Sequence, residues 1–71
     1  MMTKVVSTMA GSVWKILVQV GDQVVTGQDV AILESMKMEI PITAEVNGQV
    51  KRIVAKEGDF VNEGDMLLEL E

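Results

Sequence analysis

The chain has 71 residues, so it is one small domain with a modest core. It has no cysteine and no histidine, which removes disulfides, thiolate metal sites and the commonest general base, and leaves Ser7, Ser12 and Ser35 without an activating partner. The formal charge of −5, from 6 Lys and Arg against 11 Asp and Glu, has the wrong sign for nucleic-acid binding and suits a basic partner surface.

Short apolar runs follow one another along the chain: VVST, SVWKILV, DVAILES, IPITA, QVKRIVA and MLLEL. They are rich in Val, Ile and Leu, too short for helices, and separated by Gly-Asp turns, which predicts about eight short strands in an all-β domain. No run approaches the roughly 20 apolar residues of a membrane span, and the N-terminal residues lack the long apolar segment of a signal peptide. A cytoplasmic protein is expected, with neither membrane nor nucleic acid as a partner.

The second half of the chain repeats the first. GDQVVTG at 21–27 matches GDFVNEG at 58–64, an offset of 37, and the register extends to pair 9–34 with 46–71. Gly11, Gly21 and Gly27 fall on Gly48, Gly58 and Gly64, so every glycine of the chain belongs to a matched pair. Paired glycines predict equivalent backbone turns, and two equal units predict a pseudo-two-fold axis. Gly-Asp is not a phosphate loop here, since no Gly-Lys-Ser/Thr follows it. Trp14 aligns with Lys51, a sign of partial exposure that ordinary packing accommodates.

The two units meet at ESMKMEIP, residues 34–41, read as a hairpin joint spanning 35–41 within a single domain of residues 1–71. Met38, Ile40, Ile42 and Ala44 share one parity; Lys37, Glu39, Pro41, Thr43 and Glu45 share the other. Pro41 requires an edge strand or a bulge. A two-residue loop here places Met36 and Lys37, or Lys37 and Met38, at positive φ, a conformation that suits neither type. Lys37 maps to positions 0 and 74, beyond both chain ends. The termini are therefore expected at the end of the domain opposite the hairpin.

Glu34, Ser35, Met36, Lys37 and Met38 resemble the Glu-Ala-Met-Lys-Met attachment motif of biotinyl domains, with Ser35 in the alanine place. GDQVVTGQDVAILE, GDFVNEGDMLLELE and MAGSVWKILVQVGD are similar to the same family, so the resemblance covers the whole chain. Ala10 stands where many members have Pro. There is no inserted loop between Gly21 and Gly27 such as some acetyl-CoA carboxylase carrier subunits possess. The resemblance implies a flattened eight-stranded barrel–sandwich hybrid of two four-stranded antiparallel sheets. It implies a non-catalytic carrier whose Lys37 takes biotin in amide linkage from a biotin protein ligase, and whose partners are biotin carboxylase and carboxyltransferase components. Met36 and Met38 would flank the recognised lysine, with Glu34 and Ser35 as the turn context. A lipoyl carrier is the nearest alternative, although lipoyl domains usually have Asp before the lysine where this chain has Met36. An unmodified structural barrel–sandwich module is the other.

Overall fold

The computed structural model describes residues 2–71 and contains eight strands and no helix among them. They are β1 (Thr3–Val6), β2 (Gly11–Ile16), β3 (Gln23–Val24), β4 (Asp29–Ser35), β5 (Met38–Thr43), β6 (Gly48–Ile53), β7 (Phe60–Val61) and β8 (Met66–Leu70). Two four-stranded antiparallel sheets form, ordered β1-β8-β6-β3 and β5-β4-β2-β7. This is the expected all-β barrel–sandwich, measuring 33 × 19 × 18 Å.

The two-fold relation extends into the core. Val13 and Val50, Val18 and Ala55, Val24 and Val61, Val30 and Leu67, Ala31 and Leu68, and Leu33 and Leu70 are all buried. So are Val5 with Ile42 and Ser7 with Ala44, which carries the structural repeat back into β1 and β5, ahead of residues 9 and 46. Met38–Pro41 accordingly belong to strand β5, and the joint between the units narrows to Met36 and Lys37. Asp29 pairs with Thr43 while Ala31 pairs with Ile42, so Val30 is an extra residue in a bulge. That bulge lets the consecutive residues Val30 and Ala31 both be buried, which simple alternation forbids.

The turns repeat in detail. Gly21 N–H donates to Val50 O and Gly58 N–H to Val13 O, each at 2.8 Å. The Asp22 carboxylate accepts from Gln19 N–H and that of Asp59 from Lys56 N–H, both at 2.9 Å. Gly21 and Gly58 have φ of 98° and 96°, with nothing within 4 Å of a built Cβ. A side chain at either place has room, so the penalty is conformational alone. Gly21→Val and Gly58→Val are each expected to cost on the order of 1–3 kcal/mol. Thermal melts should show equal losses for the two variants, and a melt unchanged from the parent would contradict the turn geometry.

The chain ends are neighbours, since Thr3 pairs with Leu70. From there β1 leads toward Gly11, whose backbone lies beside Glu34 and Ser35 at the base of the β4–β5 hairpin. In the other unit β5 leaves the hairpin and leads to Gly48, which lies beside Leu70 and Glu71. Both paths run between the same two poles, one formed by the hairpin and the other by the termini, as the repeat predicts.

Candidate functional site

The β4–β5 hairpin is in register from Asp29↔Thr43 to Ser35↔Met38, which leaves Met36 and Lys37 as a two-residue loop. Their φ values are 52° and 64°. Positive φ at both central residues is the signature of a type I′ turn, the connection whose twist matches a right-twisted hairpin. Such turns ordinarily take Asn-Gly, and a residue with a Cβ in this region costs about 1–2 kcal/mol. Met36 and Lys37 are the only non-glycine residues at positive φ among those described. The chain therefore holds its least comfortable backbone at one exposed tip.

The hairpin is firmly based. Leu33 and Ile42 are buried on its inner face, and β4 sits between β5 and β2. Gly11 lets β2 come close beneath the tip: a Cβ there would lie 2.9 Å from Glu34 O and 3.3 Å from the Ser35 Cβ. This close approach was not legible in the sequence, although the match of Gly11 with Gly48 marked the position. Pro41 pairs with Ile32 on β5, an edge strand, where its missing N–H costs no ladder bond.

Lys37 is exposed and forms no salt bridge among the described residues, whereas Lys51 is paired to Glu71 at 2.8 Å and Arg52 to Glu69 at 3.1 Å. Met36 is 91% exposed. Met38 has the parity of the core but is 61% exposed, because it lies past the last buried layer. Ser35 is half-buried at the hairpin base, and Glu34 is exposed directly opposite Glu39. The five motif residues thus lie together with Glu39: one amine at the apex, a thioether on each side, and the Glu34 and Glu39 carboxylates one pair further back. No cluster of three or more His, Cys, Asp or Glu suited to a metal occurs among the described residues. The arrangement presents a primary amine to solvent, at fixed height and free of ion pairs among the described residues.

Comparisons with known proteins converge on one family. A family model described as "Biotin-requiring enzyme" matches residues 1–70. The chain is 68% identical over 62 residues to the biotin/lipoyl attachment protein of Bacillus subtilis (strain 168), covering 87% of this chain and 85% of that protein. It is 46% identical over 65 residues to the mitochondrial propionyl-CoA carboxylase alpha chain of Sus scrofa, covering 92% of this chain but 9% of that one. The crystal structure of Kluyveromyces lactis urea carboxylase contains a matching region with a TM-score of 0.93 and 35% identity, over 100% of this chain and 6% of that chain.

Proposed function

The chain belongs to the biotin/lipoyl attachment family, whose shared domain is a non-catalytic carrier, and from that premise we propose that Lys37 is the residue on which this domain carries biotin. The observation that carries the assignment is the turn itself. A hairpin that would be more stable with Asn-Gly instead holds a lysine at its apex, so the position is occupied for what the amine does.

The residues present fit the group. Attachment needs a nucleophilic amine that a ligase can reach, and Lys37 Nζ projects from an exposed apex with no ion pair to break. An ammonium has no lone pair, so a proton must leave Nζ before attack, and that step is left to the ligase. Nζ then attacks the carboxyl carbon of biotin, activated by the ligase as its adenylate. The new C–N bond forms as adenylate leaves, a second proton departs, and the net charge goes from −5 to −6. Once attached, biotin supplies the carboxyl-carrying chemistry, moving the group between a carboxylase and a carboxyltransferase site. What this chain contributes is position: the sheet beneath β4 and β5 holds the apex still. The reading extends to a cytoplasmic biotin-dependent carboxylase as the setting.

Biotin is favoured over lipoate by Met36. The side chain before Lys37 is apolar and almost wholly exposed, so a ligase pocket that closes over it meets a thioether and not a carboxylate. Met36→Asp tests this in two ways. Asp tolerates the left-handed region better than Met, so the melting temperature is expected to rise by a few degrees. Biotinylation should slow, and acceptance by a lipoyl ligase should increase. Intact mass after parallel incubation with the two ligases gives the answer. If the variant is biotinylated as fast as the parent, Met36 is not the selector. If the parent itself acquires no biotin, the attachment reading fails.

A further inference from the structure

The two-fold repeat supplies an internal control for the molecular surface. Each sheet has an outer face, and equivalent positions on the two faces share backbone geometry, so differences between them reflect something other than folding. On the sheet β1-β8-β6-β3 the middle row runs Lys4, Glu69, then Lys51 and Arg52 side by side at a bulge. The next row includes Glu71, Gln49 and Gln23, with Gln49 paired to Gln23. Two salt bridges tie this face together, Lys51 to Glu71 and Arg52 to Glu69, and the Lys51 ammonium holds the Glu71 carboxyl below its ordinary pKa.

On the hairpin-bearing sheet the same positions read differently. Lys4 becomes Pro41, Glu69 becomes Ile32, Lys51 and Arg52 become Trp14 and Lys15, and Gln23 becomes Phe60. The register makes these neighbours: Pro41 pairs with Ile32, the Trp14–Lys15 bulge lies opposite Ile32, and Phe60 pairs with Ser12, diagonal to Trp14. Trp14 is 43% and Phe60 67% exposed, and they are the only two aromatic residues in the chain. Two of the three losses of charge, Lys51 to Trp14 and Glu69 to Ile32, each remove one half of a salt bridge. With Trp14 where the other face has Lys51, Glu34 has no cation in the place where Glu71 has one. Glu34 also stands directly opposite Glu39, a like-charge cross-strand pair that a fold selected for stability alone avoids.

We infer that the outer face of the sheet β5-β4-β2-β7 is a docking surface for the biotin carboxylase component, one that offers an apolar centre to Trp14, Ile32, Pro41 and Phe60 and a basic group to Glu34 and Glu39. The inference rests on the carrier reading above. Exposed aromatics joined into one patch are the usual anchors of protein interfaces. The unneutralised carboxylate pair fixes the sign of what meets it. The occupant is the enzyme that receives the loaded domain and not the ligase. Acylation takes place at the Lys37 apex, while Ile32 and Pro41 lie three residue pairs back from Ser35↔Met38, about 10 Å along the strands.

The test exchanges three of the four apolar face residues for those their own counterparts show the fold to accept: Trp14→Lys, Ile32→Glu and Phe60→Gln, made together, with Lys51→Gln on the opposite face as control. Intact mass after treatment with ligase, biotin and ATP first establishes loading. A parent chain that does not load refutes the carrier reading, independently of the docking surface. The loaded chains are then titrated as substrates of the biotin carboxylase component from the same cell, following bicarbonate-dependent ATP cleavage. The triple variant should load at the parental rate and show KM raised about tenfold or more with kcat little changed, while Lys51→Gln matches the parent. Parental KM in the triple variant overturns the proposal. Slowed loading with parental KM overturns it also, by assigning the face to the ligase. A parent that runs as a dimer in light scattering, and a triple variant that runs as a monomer with parental KM, would assign the face to a second copy and overturn it too.

Discussion

Incubated with biotin, ATP and a biotin protein ligase, the Lys37→Arg chain is expected to keep its unmodified mass while the parent is fully converted. The loss should be complete, because the guanidinium is not a usable nucleophile near neutral pH and no other lysine stands in its place. Lys51 is engaged with Glu71, and Lys15 Nζ lies 5.7 Å from the centre of the Trp14 ring. Lys4 and Lys15 lie within strands and not at a hairpin apex, and Lys56 lies in a loop closed by Asp59. Arg keeps the charge and the exposed setting at the apex, so the variant should melt within about 0.5 kcal/mol of the parent. Unmodified mass then reports chemistry and not unfolding. Biotin found on the Arg variant, or mapped to another lysine in the parent, would remove Lys37 from the site.

The largest effect on stability is expected from Leu33→Ala. Leu33 is fully buried and pairs with Val13 on β2 and Ile40 on β5, so it ties the hairpin to the sheet behind it. Truncating such a leucine costs about 2–5 kcal/mol. A domain of 71 residues has only about 4–10 kcal/mol in hand, so the melting temperature should fall by about 10–30 °C. Leu70→Ala removes the equivalent side chain of the other unit and should cost a similar amount. The two variants differ in what lies above the cavity: the hairpin apex over Leu33, the chain ends over Leu70. Compared at equal folded fraction, Leu33→Ala should be loaded more slowly than Leu70→Ala. A Leu33→Ala melt within a degree or two of the parent would refute the packing described here.

Much of this was legible in the sequence because the repeat is written in glycines. A glycine at positive φ, or at a close backbone approach, cannot be exchanged freely, so the Gly21/Gly58 and Gly11/Gly48 matches survive as letters. The first strand of each unit left no such trace. Val5 and Ile42, or Ser7 and Ala44, do the same work with different side chains, and only burial reveals the pair. The apex was legible from the odd composition of its turn, and the structure selects Met36 and Lys37 from the two registers that the sequence allowed. Met38 shares the parity of Ile40 and Ile42 yet is exposed, because parity says which way a side chain points and not whether the core reaches that far. The apolar outer face was hinted at by Trp14 falling on Lys51. It became a pattern only once the strand register placed Ile32, Pro41 and Phe60 around it.

The meeting of the two chain ends at the pole away from the hairpin has a mechanical consequence. A carrier hitched at that pole behaves as a lever, with its load at the free end and its pivot at the hitch. The lever is the folded body itself, up to 33 Å long, so a modest swing at the pivot sweeps the load across a wide arc without stretching any tether. Because the entering and leaving strands are adjacent partners, such a lever can also be spliced into the middle of a longer chain through a single narrow stalk. The two-fold relation would place a copy of the Met36–Lys37 turn where the chain ends meet. Joining the ends through such a copy and opening the ring elsewhere would give a permuted chain loaded at both poles.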